Sequence, residues 1–216
     1  MCGRFSVAFT KDELLRVLQT LGLPLETDED IPDEPAAVVT PGQHASILIG
    51  STQGGALRRA SWGFVLNQTG KLVINARSET AGQKSLFADA WRRRRCAIPA
   101  SGFFETARTS PGKKKGRSCH FAARQKGELL FLGGLWSTDG ITPRFVILTT
   151  EPNQTVAPIH DRMPLLIAHE GLCDWLQPRP LSSEASAQFI EPAETIILDE
   201  SPELSSNHTG MLPLFP

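Results

Sequence analysis

Four short stretches of this 216-residue chain carry side chains that could act together on a carbonyl compound. They contain Cys2, Asn75, Glu105 and His160, which supply a thiol, an amide, a carboxyl and an imidazole. If Met1 is removed, Cys2 carries a free amine next to its thiol, a pair that no internal cysteine has. We therefore predict covalent chemistry on a carbonyl group, with Cys2 as the nucleophile.

Arginines accompany three of these groups. Arg4, Arg77 and Arg162 each lie two residues after Cys2, Asn75 or His160. Guanidinium groups bind phosphate through two parallel hydrogen bonds. The spacing therefore indicates a substrate that has a phosphate backbone.

Each stretch also has a purely structural interpretation. The stretch NARSET could be a strand-to-helix turn capped by Ser78 or Thr80. Glu105 could pair with a nearby arginine, and HDRMP could be a polar turn before a strand. Taken singly, each stretch favours its structural interpretation, but the four stretches together favour a site.

The elements that position these groups are short strands with helices between them. Strands are predicted at Phe5–Phe9, Ser46–Ile49, Leu57–Trp62 and Leu72–Asn75, and then at CAIPASGFFE, HFAARQ, ELLFLGGLW, RFVILTT and ETIIL. Thr10 and Glu13 form a capping box that begins a helix, which ends at Gly22. Further helices are predicted at Thr80–Arg94, GLCDWL and SSEASAQFI. Because strands and helices do not alternate regularly, we expect an α+β fold with a largely antiparallel, barrel-like sheet flanked by short helices, in one domain over residues 1–216.

The formal net charge is only −1, but charge is distributed unevenly along the chain. Residues 91–126 contain eleven Lys and Arg and one acid, whereas residues 169–216 contain eight acids and one Arg. The basic part includes the run Arg92–Arg95 and the stretch PGKKKGR, and the loop LPLETDEDIPDEP is acidic. The basic region suits a polyanionic partner. Alternatively, the oppositely charged regions pair across the fold.

The four cysteines have no C-x-x-C spacing, so a zinc or redox motif is not indicated. Cys96 and Cys173 lie among apolar residues and are predicted to be inert core thiols. The sequence has neither a run of about 18 apolar residues nor the pattern of a signal peptide. We expect an intracellular protein, cytoplasmic and associated with the nucleoid, monomeric, and without a metal or organic cofactor.

Six stretches of the chain resemble the SRAP family, the SOS-response-associated peptidase domain. They are MCGRF, PGQ at Pro41–Gln43, WGF at Trp62–Phe64, INARSET, SGFFE and IHDRMP. The resemblance implies the SRAP fold and a DNA-repair role in which abasic sites in single-stranded DNA become attached to the N-terminal cysteine. It points to Cys2, Asn75, Glu105 and His160 as catalytic residues. It also implies that Arg4, Arg77, Arg162, Pro41 and Thr149 contact DNA.

The implied reaction needs the amine of Cys2. The ring-opened abasic sugar is an aldehyde, with which the amine forms a Schiff base; the thiol then closes a five-membered thiazolidine ring. A Schiff base also permits β-elimination, so lyase activity is expected from the same intermediate, and removal of Met1 could be a self-processing reaction.

Three positions depart from the family pattern. Ala37-Val38-Val39-Thr40-Pro41 stands where the family has a Tyr-Asn-x-x-Pro-like stretch, and Thr106 follows Glu105 where the family often has Trp. The loop VLNQTGKL lacks the aromatic residues that stack on bases in some members. We expect weaker base stacking, or stacking supplied by an aliphatic residue such as Leu66.

Two other functions fit the same residues. One is a thiol peptidase that uses Cys2 and His160 as a dyad, and the other is a single-strand-binding module without catalysis. A covalent adduct with abasic DNA that depends on Cys2 separates the first interpretation from both alternatives.

Overall fold

The computed structural model describes residues 2–23, 25–27, 37–51, 54–66, 69–107, 116–124, 128–138, 142–193 and 198–202. The strands are β1 (Arg4–Val7), β2 (Leu25–Thr27), β3 (Ala37–Val39), β4 (His44–Ser51), β5 (Gly54–Trp62), β6 (Phe64–Val65), β7 (Leu72–Val73), β8 (Asn75–Arg77), β9 (Arg95–Ala100), β10 (Gly102–Thr106), β11 (Ser118–Ala123), β12 (Leu130–Thr138), β13 (Pro143–Thr150), β14 (Met163–Pro164) and β15 (Leu198–Pro202). The helices are α1 (Lys11–Thr20), α2 (Ser78–Ala81), α3 (Ala88–Arg93), α4 (Leu172–Leu176) and α5 (Ser183–Ile190), with a 3₁₀ turn at His169–Gly171.

The larger sheet closes on itself. Its strand order is β14-β13-β12-β9-β4-β5-β2, and β13 also pairs with β5 in parallel, with Arg144 opposite Ser61 and Phe145 opposite Trp62. Strands β13, β12, β9, β4 and β5 therefore form a closed ring whose other pairings are antiparallel. This confirms the predicted α+β fold with a barrel-like core.

The smaller sheet places the start of the chain between two other strands. Its order is β15-β11-β10-β1-β3, and all of its pairings are antiparallel. Arg4 lies opposite Phe104, and Phe5 lies opposite Phe103. The residues that follow Cys2 are therefore held beside the strand that carries Glu105.

A buried aromatic group joins the two sheets. The Trp62 ring lies 5.3 Å from that of Phe5 and stacks on that of Phe145 at 6.1 Å, measured between centroids. The indole Nε1 of Trp62 donates a hydrogen bond to Ile74 O at 2.9 Å. All three rings are fully buried, and each such burial stabilises the fold by roughly 1.5–3 kcal/mol. This packing fixes β1 against the ring of strands.

The first helix follows its sequence signals. Thr10 Oγ1 accepts a hydrogen bond from Glu13 N at 3.1 Å, and Thr10 N donates to the Glu13 carboxylate at 2.7 Å. Leu14 and Leu18 are buried, and Gly22, with a φ of 66°, follows the helix in the left-handed region that glycine tolerates. The predicted capping box and C-terminal glycine are confirmed.

Three predicted elements are divided in the structure. CAIPASGFFE contains β9 and β10, which belong to different sheets and meet at Ser101, whose main-chain N–H bonds Ser6 O. The predicted helix Thr80–Arg94 is α2 and α3 with a turn between them. The predicted strand Leu72–Asn75 is β7 followed by β8, because the chain changes its pairing partner from β6 to β13 at Ile74.

Some predictions concern residues that are not described. Most of the acidic loop at 23–35, Lys113–Lys115 of PGKKKGR, residues 67–68 of VLNQTGKL and residues 194–197 of the predicted last strand lie outside the described residues. The described strand in that last region is β15, which begins at Leu198. Among the helices of the described ranges, none combines the length and apolar character that a membrane crossing requires.

Part of the basic region pairs with the acidic end of the chain. Arg124 Nε, just after β11, lies 2.8 Å from Asp199 Oδ1, and Arg117, just before β11, bonds Glu200; both acids lie on β15. The alternative interpretation of the charge distribution, pairing across the fold, is confirmed for these two pairs. Because the side chains are largely exposed, each pair adds little to stability.

The arginine run divides between the surface and the interior. Arg93 and Arg94, at the C-terminal end of α3, both pair with Asp89 in the first turn of that helix. Arg95 is only 1% exposed, and its guanidinium donates to five main-chain carbonyls, those of Trp91, Arg92, Trp175, Gln177 and Arg179. Burial lowers the pKa of Arg95 to about 10, so it stays charged at neutral pH. Arg95 thus joins α4 and the segment after it to the ring of strands.

Of the two cysteines predicted to be core thiols, one is buried and the other is exposed. Cys96 is buried in the core as predicted. Cys173 is exposed, so its prediction as a core thiol is wrong. Helix α4 turns its neighbours Leu172, Trp175 and Leu176 inward, which leaves Cys173 on the outer side.

Candidate active site

Cys2 lies just before β1 with its side chain fully buried. Its Sγ donates a weak hydrogen bond to Arg4 O at 3.4 Å. Burial raises the pKa of the thiol far above its usual value, and the charge of Glu105 raises it further. The thiol is therefore protonated at neutral pH in this position.

Asn75 connects the larger sheet to Cys2. It begins β8, which pairs with β13. Its Nδ2 donates to Cys2 O at 2.8 Å, and its Oδ1 is buried with no hydrogen-bond partner among the described residues. An acceptor of this kind, next to residue 2, suits an additional N–H donor at the site.

Glu105 lies on β10 and is 3% exposed. Burial raises the pKa of its carboxyl to about 7, and the charge of Asp161 contributes to the rise. Both protonation states are therefore populated near neutrality, as a group that both gives and takes protons requires.

His160 faces Glu105 from the loop before β14. Its main-chain N–H donates to Val156 O at 3.0 Å, at the end of a series of turns. Its Nε2 lies 3.8 Å from Glu105 Oε2, and its Nδ1 lies 3.2 Å from Asp161 Oδ1. An imidazole and a carboxyl are thus in position to exchange a proton through a substrate or a water between them.

An open cleft of about 460 Å³ lies over these groups. Its lining comprises Gly3, Arg4, Thr40, Pro41, Phe104, Glu105, Thr106 and His160. Cys2 is not part of the lining, so its thiol lies beneath the surface of the cleft.

Arg4 lies on the cleft with its guanidinium held in place. Its Nη2 donates to Ser118 Oγ at 2.9 Å, and its Cζ lies 4.8 Å from the centre of the Phe104 ring. The Ser118 hydrogen bond and the attraction to the Phe104 ring therefore hold a positive charge at the lining of the cleft.

The other predicted DNA contacts differ in their surroundings. Arg77 is exposed at the end of β8, and Pro41 lines the cleft. Thr149 is only 1% exposed, and its carbonyl accepts from Ser78 Oγ and from Arg162 Nη2. Arg162 is bound on two nitrogens by the Glu79 carboxylate. Contact of all five residues with DNA stays a prediction.

The structure therefore brings Cys2, Asn75, Glu105 and His160 together from four separate parts of the chain. Sequence reasoning assigned no role to four neighbours of the site: Glu79, Phe104, Ser118 and Asp161. Glu79 and Phe104 lie within the quoted stretches INARSET and SGFFE, and Asp161 lies within IHDRMP, so those motifs already held a signal for them. Ser118 meets Arg4 only through the pairing of β1, β10 and β11, which no local pattern reveals.

Comparison with known proteins shows the family of this chain. The sequence model of the family described as SOS response associated peptidase (SRAP) matches residues 1–202. The chain is 30% identical to the abasic site processing protein YoaM of Bacillus subtilis, over 89% of this chain and 86% of that protein. It is 29% identical to the abasic site processing protein YedK of Escherichia coli, over 86% of this chain and 84% of that protein.

Solved structures share the fold. A protein from Bacteroides thetaiotaomicron superimposes with a TM-score of 0.76 at 21% identity, over 93% of this chain and 91% of that chain. A phage-related protein from Bordetella bronchiseptica superimposes with a TM-score of 0.72 at 21% identity, over 93% of each chain.

Proposed function

Because the chain belongs to the SOS response associated peptidase family, we propose that it processes abasic sites in DNA by binding them covalently through Cys2. The observation that supports this most is that Asn75 bonds residue 2 while Glu105, whose charge acts on the Cys2 thiol, faces His160 across an open cleft with Arg4 on its lining.

The reaction begins with an amine. Removal of Met1 frees the amine of Cys2, whose reference pKa of about 7.7–8.0 leaves a useful unprotonated fraction near neutrality. This amine adds to C1′ of the ring-opened sugar, and the resulting carbinolamine loses one water to give an imine. The thiol sulfur then bonds the same carbon while its proton moves to the imine nitrogen. The product is a thiazolidine, and one water leaves overall.

The buried thiol supports this order of steps. Because burial and Glu105 raise the pKa of the thiol, little thiolate exists before substrate arrives, and the amine is the better first nucleophile. The same shift is opposite to what a thiol peptidase requires of its nucleophile, so the geometry does not favour the dyad alternative.

The neighbouring groups take complementary roles. Glu105, with a pKa of about 7, accepts a proton from the sugar hydroxyl during ring opening and returns one to the departing water. His160 protonates the ring oxygen of the sugar. Asn75 Oδ1, which has no hydrogen-bond partner within the described ranges, accepts a hydrogen bond from the Cys2 amine and orients its lone pair.

The imine intermediate also allows strand cleavage. An imine at C1′ acidifies C2′–H, and loss of that proton expels the phosphate at C3′ by β-elimination. Ring closure by sulfur competes with this loss, so lyase activity is expected to be a side reaction that grows when closure is slow.

Intact mass and a denaturing gel test the proposal. The purified protein should lack Met1, and with single-stranded DNA that carries an abasic site it should give a band with the mass of protein plus DNA less one water. A peptidase predicts peptide cleavage without such a band. A binding module predicts salt-sensitive retention alone.

Arg77 is expected to contact a backbone phosphate beside the cleft. Arg77→Ala should weaken binding to single-stranded DNA uniformly across sequences and reduce the slope of log K against log salt by about one. Titrations by fluorescence anisotropy at several salt concentrations measure this slope. Arg16→Ala, which removes an exposed arginine from α1 and lies outside the basic region, is the matched control. A slope equal to that of the parent protein would show that Arg77 does not contact a backbone phosphate.

A further inference from the structure

The guanidinium of Arg162 makes more hydrogen bonds to the protein than is typical of a surface arginine that is available to a ligand. Its Nη1 lies 2.7 Å from Glu79 Oε1 and its Nη2 lies 2.9 Å from Glu79 Oε2, the two-pronged geometry that carboxylates and guanidinium groups form. Nη2 also donates to Thr149 O at 2.5 Å. The guanidinium is therefore fixed to both α2 and β13.

Little of this guanidinium is left for DNA. Of its five N–H groups, three serve Glu79 and Thr149, and Nε is buried with no hydrogen-bond partner among the described residues. The side chain is only 15% exposed. A phosphate could reach Arg162 well only if Glu79 left it. The pair is thus better suited to holding the protein chain than to holding a ligand.

What the pair holds is the main chain next to His160. Arg162 N lies 3.0 Å from His160 Nδ1, while Arg162 O lies 3.1 Å and Asp161 Oδ1 lies 3.2 Å from the same nitrogen. The main-chain N–H can only donate, so it requires Nδ1 as an acceptor. The two oxygens instead favour a proton on Nδ1. The N–H contact decides between them, because a main-chain N–H without an acceptor is costly, whereas a carbonyl tolerates this better and the Asp161 side chain is 53% exposed to water.

The hydrogen bond at Nδ1 determines whether Nε2, on the other side of the imidazole ring, carries a proton. When one imidazole nitrogen of a neutral histidine accepts a hydrogen bond, the proton is on the other. With Nδ1 as acceptor, Nε2 carries the proton and faces Glu105 Oε2 at 3.8 Å. This is the tautomer that can deliver a proton into the cleft.

We propose that Glu79 is a positioning residue for His160: by fixing Arg162 it holds the Arg162 main-chain N–H against Nδ1 and so keeps the transferable proton on Nε2. The catalytic importance of that tautomer rests on the proposed function. The tautomer itself does not, so the two can fail separately.

The first test is spectroscopic and needs no DNA. Imidazole ¹⁵N shifts report which nitrogen is protonated, and the signals of His160 are assigned by their loss in His160→Gln. At a pH where the ring is neutral, the parent protein should show the Nε2–H form. Glu79→Gln and Arg162→Lys, which both break the two-pronged pair, should each move it toward the Nδ1–H form. Unchanged shifts in both variants would overturn the proposal.

The second test separates chemistry from binding. Glu79→Gln should slow adduct formation at saturating abasic DNA roughly tenfold, a typical effect of removing a partner that orients an active-site histidine. Its affinity for DNA with a tetrahydrofuran site, which has no aldehyde, should not fall below that of the parent, because the change removes a negative charge and loosens the hold on Arg162. Glu79→Asp, which keeps the charge, should recover part of the rate.

The matched control is Asp89→Asn. Asp89, like Glu79, is a carboxylate paired with arginine, in its case Arg93 and Arg94. It lies on α3, whereas Glu79 lies on α2. This control should keep the parent rate and spectrum. If the parent protein forms no adduct, the proposed function fails while the spectra still decide the role of Glu79. If the parent reacts but Glu79→Gln reacts at the parent rate, the positioning role is wrong.

Discussion

Cys2→Ser should retain the first bond to an abasic site and lose the second. The terminal amine of this variant still forms an imine with the aldehyde, but a hydroxyl is a far poorer nucleophile than a thiol for ring closure. The heat-stable adduct on a denaturing gel should therefore fall by about two orders of magnitude or more, because intramolecular closure is the step that captures the imine. Borohydride, which reduces the imine to a stable amine, should restore a shifted band.

The control for this result is Cys173→Ser, which removes an exposed thiol from α4 and should leave the adduct yield unchanged. The variant Cys2→Ser should also cleave more DNA strand than the parent, since its imine persists long enough for β-elimination. A heat-stable adduct of parental yield from Cys2→Ser would exclude the thiazolidine. Loss of the borohydride-trapped band as well would mean that the amine is not the first nucleophile.

Glu105→Gln should lower the rate of adduct formation by about 10²–10⁴-fold, the range typical for loss of a group that transfers protons. Binding to the tetrahydrofuran analogue should change little, because Glu105 offers no positive charge to a phosphate. The parent rate should show an inflection near pH 7, where burial places the pKa of Glu105. The variant should lack it.

Single-turnover rates across pH check this expectation, and Glu170→Gln on the exposed 3₁₀ turn is the matched control. Equal losses of binding and chemistry in Glu105→Gln would contradict the assigned role. An inflection near pH 7 that persists in the variant would assign it to another group.

The carboxyl of Glu105 also makes the free energy of unfolding depend on pH. Its pKa rises from 4.5 to about 7 on folding, so between these values the unfolded chain has released a proton that the folded chain retains. The free energy of unfolding then falls as pH rises through this window. At about 1.4 kcal/mol per pKa unit, the loss above pH 7 is on the order of 3 kcal/mol. Urea denaturation should show Glu105→Gln gaining stability over the parent at pH 8 but not at pH 4, and an equal difference at both would contradict it.

Sequence patterns predicted best where the structure depends on neighbours along the chain. The Thr10–Glu13 capping box and Gly22 act within one helix, so both ends of α1 followed from the sequence. CAIPASGFFE was misjudged because β9 and β10 are both apolar and contiguous. The corner between them depends on Ser101, whose Oγ accepts from Ala8 N at 2.6 Å across the sheet. A contact over 93 residues leaves no trace in the local pattern.

The candidate site divides in the same way. Cys2, Asn75, Glu105 and His160 were identifiable because a thiol, an amide, a carboxyl and an imidazole together suit carbonyl chemistry, although each stretch alone has a structural interpretation. The protonation states of these groups could not be predicted, because they depend on burial and on neighbours that are distant in sequence. Arg162 is an example: the sequence predicts that it binds phosphate, but not that its guanidinium pairs with Glu79, 83 residues away.

The position of β1 bears on the order of events during synthesis. This strand docks on β10, so its pocket cannot form before Thr106 has left the ribosome. At roughly 5–20 residues per second, the nascent start of the chain stays open to an aminopeptidase for about 5–20 s. Under the proposed function, we expect Met1 to be excised within this interval, and a fusion partner ahead of residue 2 should prevent the protein from forming the adduct.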